Sequence, residues 1–156
     1  MLEIRTSVDI RATPMQVWAV LTDGDSYAEW NPMIRSAVGE FRAGNRVTLR
    51  MGTPPQRGFT IRPRVIRAVP GAELRLLGRL PGIFSGEHYF LLAQRGPVTR
   101  MVQGEVYRGA VVPILAARLR RARDGFEEHN RALSRRVEQL AGGPAHRDEL
   151  SGGPKS

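Results

Sequence analysis

Residues 2–11 alternate, with Leu2, Ile4, Val8 and Ile10 on one side and Glu3, Arg5, Ser7, Asp9 and Arg11 on the other. A period of two predicts a strand with one wet face. Thr13 follows as a helix N-cap and Pro14 as a first helical residue. Val17, Trp18, Val20 and Leu21 give a short helix its apolar side, and Thr22-Asp23-Gly24 ends it. Asp25 or Ser26 caps a second short turn that carries Tyr27 and Trp30 and stops at Pro32.

A run of strands comes next. Ile34 to Phe41 forms the first, closed by Ala43-Gly44-Asn45, and Val47, Leu49 and Met51 alternate through a second. Gly52 to Gly58 is a Pro-rich loop. Phe59, Ile61 and Val65 alternate with Thr60, Arg62 and Arg64, and Pro63 within that run marks an edge strand or a bulge. After the Pro70-Gly71 turn, Leu74 and Leu76 predict a short strand and Gly78 to Gly86 a loop. His88 to Gln94 and Thr99 to Tyr107 form two strands joined through Arg95-Gly96-Pro97, the spacing of an antiparallel meander.

From Pro113 the period changes. Leu115, Leu119, Ala122, Phe126, Leu133, Val137 and Leu140 recur every three or four residues, which predicts one helix about 40 Å long. Gly125 is placed to bend it and Gly142-Gly143-Pro144 to stop it. The pattern therefore divides into one domain over 1–141 and a polar, Gly/Pro-rich tail over 142–156, expected to be disordered.

Composition narrows the function. The 156 residues are 41% hydrophobic, enough for a real core, and contain no cysteine, which removes disulfides, thiolate metal sites and a cysteine nucleophile. The net charge of +9 raises the question of nucleic acid. The arginines are scattered over every segment, and a clustered footprint is what such binding needs, so no nucleic-acid partner is expected. Residues 1–5 hold no apolar signal core, and the longest apolar run, Ala110 to Ala117, is broken by Pro113. No membrane insertion and a cytoplasmic location are the expectation. There is no Gly-rich phosphate loop, no His-Glu-x-x-His and no Gly-x-Ser-x-Gly, and two domain histidines without cysteine do not make a zinc site. The pattern calls for no cofactor and no metal, and leaves room for a homodimer.

The N-terminal string Ile10-x-Ala12-x-Pro14-x-x-Val17-Trp18-x-x-Leu21-Thr22-Asp23, followed by Tyr27-x-x-Trp30-Asn31-Pro32, resembles the START-like or SRPBCC superfamily. Gly86-Glu87-His88-Tyr89-Phe90-x-Leu92, Glu105-x-Tyr107-x-Gly109 and Phe126-x-x-x-Asn130-x-x-Leu133 are similar to its last two strands and closing helix. The resemblance implies an α+β helix-grip fold: a curved antiparallel sheet around a long C-terminal helix, with two short helices after the first strand. It also implies an apolar pocket between sheet and helix. The superfamily carries cyclases, lipid carriers, receptors and chaperone co-activators on one scaffold, so fold alone does not select an activity.

An even-numbered loop between Arg95 and Val98 sets a register in which His88 faces Glu105, Phe90 faces Gln103 and Leu92 faces Met101. A histidine beside a carboxyl group in an apolar pocket suits proton transfer in aldol cyclisation or dehydration. The same pair also suits a purely structural ion pair. Phe90, Leu92, Met101, Gln103 and Tyr107 from the strands, and Phe126, His129, Asn130 and Leu133 from the helix, are the expected ligand-facing residues. Trp18, Tyr27 and Trp30 either line a pocket mouth or anchor a helix on the sheet. Three functions stay open: a module binding a small hydrophobic or aromatic molecule; a polyketide cyclase/dehydrase-type enzyme using His88 and Glu105 as acid and base; and a protein-interaction module resembling the Hsp90-activator branch. A filled core with an exposed apolar sheet face would favour the third.

Overall fold

The structure is a computed structural model that describes residues 1–52, 55 and 57–142. The expected tail over 142–156 lies, apart from Gly142, outside the described residues. Strand β1 spans Leu2–Ile10 and helix α1 Pro14–Thr22. Thr13 and Gln16 close a reciprocal capping box at the start of α1: the Gln16 amide N–H donates to Thr13 Oγ1, and the Thr13 N–H donates to Gln16 Oε1. A 3₁₀ turn, Gly24–Ser26, leads into the single-turn helix α2, Tyr27–Trp30. The expected corner is held by Asn31, whose Oδ1 accepts from the backbone N–H of both Met33 and Ile34.

Seven strands follow: β2 (Ile34–Val38), β3 (Thr48–Met51), β4 (Phe59–Ile61), β5 (Arg64–Val69), β6 (Glu73–Leu80), β7 (Phe84–Arg95) and β8 (Val98–Arg108). They pair antiparallel as a five-stranded sheet, β1-β8-β7-β6-β5, and a three-stranded sheet, β2-β3-β4. Two expectations change here. β2 ends at Val38 rather than Phe41, because Gly39 turns the chain away at φ 111°. The loop expected over 78–86 is mostly strand: Gly78 to Leu80 and Phe84 to Gly86 pair with each other around a tight turn. Glycine in both strands hid the ladder, since glycine weakens a strand pattern without forbidding the strand.

The expected single C-terminal helix is two, α3 (Val112–Arg120) and α4 (Ala122–Ala141). The break falls at Arg121, whose N–H turns back to Arg118 O, and not at Gly125, which lies inside α4. Of α3 only Val112 is fully buried; Leu115 is exposed, while Leu119 is partly buried against the cluster that holds Phe126, so α3 continues the stripe only at Leu119. α4 carries that stripe through Phe126, Leu133 and Val137, all buried against the sheet. A Cβ at Gly125 would meet only the end of Met33, at 3.6 Å. Gly125→Ala should therefore raise stability by about 0.5–1 kcal/mol, measured by urea denaturation, because helix propensity improves without a clash. Among the described residues no helix is long and apolar enough to cross a membrane. The architecture is α+β helix-grip: α4 lies against a curved antiparallel sheet, with α1 and α2 set after the first strand.

Candidate functional site

Pro63 opens the interior. On one side of it, Arg64 to Val69 pair with β6 from Leu77 back to Glu73. On the other, Phe59 to Ile61 pair only with β3, and the facing stretch of β6, Gly78 to Leu80, has no strand partner on that edge among the described residues. The two sheets stay joined below the split: Arg46 bridges Arg64, and Val47 N–H donates to Pro63 O. Proline has no N–H to give a ladder, so the strand forks here rather than continuing along β6.

Behind the fork lies a cavity of about 820 Å³ between the sheet and α4. Its walls are mostly apolar: Leu49 and Met51 of β3, Leu74 and Leu76 of β6, Phe90 of β7 and Phe126 of α4. Phe59, Ile61 and Leu80, which also line it, are 61%, 38% and 56% exposed and mark the mouth at the fork. Tyr27 lines the opposite wall and donates its hydroxyl to Leu21 O, which pins α2 against α1.

A polar chain crosses the β7–β8 side of the cavity. The hairpin turn at Gly96-Pro97, with Gly96 at φ 58°, closes a two-residue loop. It sets His88 opposite Glu105, Phe90 opposite Gln103 and Leu92 opposite Met101, the register expected from the sequence. Gln103 Nε2 is 3.0 Å from His88 Nε2, and His88 Nδ1 is 3.2 Å from Glu105 Oε2. With the amide donating to Nε2, the imidazole carries its proton on Nδ1 and donates it to Glu105. The Tyr107 hydroxyl donates to the same Oε2 at 3.0 Å. Burial and the adjoining Glu105 push the Tyr107 phenol up, so it stays a donor. Glu105 Oε1 occupies space that only glycine leaves free: a Cβ at Gly86 would sit 2.5 Å from it. The His88 ring lies 5.0 Å from Phe90 and 5.0 Å, edge-on, from Phe126.

His129 stands at the same wall, 5.8 Å from Phe90 and 5.5 Å from Trp30. Burial, with His88 nearby, holds its pKa down to about 3, so the ring is neutral. Two atoms of this wall, His129 Nδ1 and Gln103 Oε1, are buried without a hydrogen-bond partner. If the Gln103 amide turns over, one of its two polar atoms is still left over, since only one faces His88.

The structure thus brings together His88, Phe90, Gln103, Glu105, Phe126 and His129 around one cavity. It sets the other expected residues apart. Leu92, Met101 and Leu133 are packed into the solid core. Tyr107 does not line the cavity; it stands behind the wall, against Glu105, Phe84 and Phe126. Asn130 faces β1 and donates to Thr6 Oγ1 at 2.9 Å, beside a separate shallow cleft. Trp30 packs edge-on against Tyr27 at 5.4 Å, in the anchoring role. The wall from β3, β4 and β6 is not among the residues expected from the sequence. Its one signal there is Pro63, which marks an irregular strand without showing that the irregularity opens a cavity.

The model of one family, described as polyketide cyclase / dehydrase and lipid transport, matches residues 1–138. A START superfamily protein from Mycobacterium smegmatis superposes with a TM-score of 0.71 at 19% identity, over 88% of this chain and 98% of that one. A Nitrosomonas europaea protein gives 0.74 at 14% identity, over 91% and 97% of the two chains. The di-domain ARO/CYC StfQ from the steffimycin biosynthetic pathway gives 0.72 at 15% identity, over 90% of this chain and 52% of its own. At these identities the likeness is one of fold. No curated protein is a significant match to the sequence.

Proposed function

The chain belongs to the polyketide cyclase / dehydrase and lipid transport family, and we propose that it binds one small hydrophobic or aromatic molecule in the cavity between sheet and α4. The observation that carries this reading is the cavity itself: about 820 Å³, walled mainly by apolar side chains, with polar groups confined to one side. That volume is within the range of small-molecule sites, which combine apolar walls with a few polar groups for orientation. The unpaired atoms of Gln103 and His129 support it, because buried polar atoms without partners cost stability unless something else satisfies them. An interaction module of the Hsp90-activator kind has no need of such a space.

N-phenyl-1-naphthylamine, a neutral apolar probe that fluoresces when shielded from water, tests the reading. Saturable binding of one probe per chain is expected. No saturable site, or many weak ones, would contradict it.

A second reading, cyclisation or dehydration by proton transfer, is favoured by one detail of the polar chain. Glu105 Oε2 accepts two hydrogen bonds while Oε1 accepts none among the described residues. A carboxylate so oriented has one oxygen free to take a proton from a bound substrate, and His88, positioned by Gln103, holds it in place. Glu105→Gln should leave probe affinity within about fivefold of the parent. On a poly-β-keto thioester it should lower turnover by about 10²–10⁴ if the carboxylate is the base. Turnover unchanged by the substitution would remove this second reading and leave the first.

A further inference from the structure

The fork at Pro63 has a charge pattern that the binding reading does not use. Along the two parted stretches Phe59, Ile61 and Leu80 line the cavity, Arg64 and Arg79 lie on the outer face of the β5–β6 ladder, and Arg62 directly follows β4. Arg46 joins them: it bridges Arg64 in the backbone, and its guanidinium donates to Arg62 O at 3.1 Å. Arg64 is paired with Leu77, which sets it diagonal to Arg79 across the neighbouring strand, a separation of about 7–8 Å. All four arginines are exposed and border the cavity. Among the described residues none of the four forms an ion pair, although other strand arginines on the sheet's outer face, such as Arg75, Arg100 and Arg108, do.

Four like charges gathered on one lip repel one another, so the arrangement has an electrostatic cost that an anion would relieve. Among the described residues the only carboxyl group lining the cavity is Glu105. It stands on β8, two strand spacings, about 10 Å, across the sheet from β6. An anion is disfavoured beside Glu105 and favoured at the fork.

Resting on the proposed binding function, we infer that the ligand is an anionic amphiphile. Its apolar body enters between β4 and β6, and its carboxylate, sulfate or sulfonate end stays at the fork among Arg46, Arg62, Arg64 and Arg79. Long arginine side chains reach over a strand edge while their stems lie on apolar surface, so the outward direction of the Cα–Cβ bonds is no obstacle. Guanidinium groups suit such oxyanions by paired hydrogen bonds.

Two probes that differ in one group test this. 1-Anilinonaphthalene-8-sulfonate is N-phenyl-1-naphthylamine with a sulfonate added. The measured quantity is the ratio of their dissociation constants, compared between the parent and Arg62→Gln/Arg64→Gln/Arg79→Gln at low salt. The triple variant is expected to keep its affinity for the neutral probe within about twofold, while its preference for the sulfonate falls at least about tenfold, the scale of charge-assisted hydrogen bonds. The parent's preference should also shrink as salt rises. A ratio unmoved by the three substitutions, with the neutral probe still bound, overturns the inference and leaves the cavity reading standing. If neither probe binds the parent, the cavity reading fails and the inference with it. A third arm uses phosphatidylcholine vesicles with and without about one-third phosphatidylglycerol. Arginine-dependent capture on the anionic vesicles, with no change in the probe ratio, would assign the lip to a bilayer surface and also overturn the inference.

Discussion

Replacing His129 by leucine should make the protein markedly more resistant to acid. In the folded chain burial holds the imidazole pKa down to about 3, against 6.5 for the free side chain. Between those values the unfolded chain binds a proton and the folded chain does not. Stability therefore falls as pH falls, beginning near 6.5 and continuing toward 3. From pH 7 to pH 4.5 this linkage amounts to about 2–3 kcal/mol. His129→Leu cannot take up that proton, and a leucine fits among Trp30 and Phe90 as an apolar neighbour. Urea denaturation at the two pH values should show the parent losing about 2–3 kcal/mol more than the variant. Equal losses would show that the ring is not held neutral by the fold.

The second large effect belongs to Phe126. It is 2% exposed, packs with Ile4, Tyr107 and Val112, and meets the His88 ring in a T-shaped contact at 5.0 Å on the cavity wall. Truncation removes these contacts and leaves a void that the surroundings fill only in part. Phe126→Ala should cost about 3–5 kcal/mol and shift the affinity of the neutral naphthylamine probe, because the wall it touches has moved back. Arg121→Ala, at an exposed position between α3 and α4, should stay within about 0.5 kcal/mol and leave binding alone. A Phe126→Ala protein with parental stability and affinity would mean that the ring belongs neither to the core nor to the wall.

The features legible in the amino-acid sequence are local ones. The Thr13–Gln16 cap, the Asn31-Pro32 corner and the His88–Glu105 register each depend on residues a few positions apart or on one short hairpin loop. The illegible features are decided between distant segments. Pro63 and Gly78 are both consistent with a broken strand, but that their strands part from each other and open a cavity is a property of the paired sheet. Leu92, Met101 and Leu133 show the same alternation or helical spacing as Phe90 and Phe126. Whether such a residue faces a cavity or solid packing depends on what lies opposite, and period alone carries no sign of that. The helix break at Arg121 has no glycine or proline to announce it.

The space between sheet and α4 is proposed to receive a small apolar molecule, and a crystal structure of the protein with N-phenyl-1-naphthylamine tests this most directly. One probe is expected inside the cavity, its rings between Leu76, Phe90 and Phe126, entered from the fork between β4 and β6. A probe found only on the outer surface, or an interior closed by side chains with no room for it, would contradict the proposal.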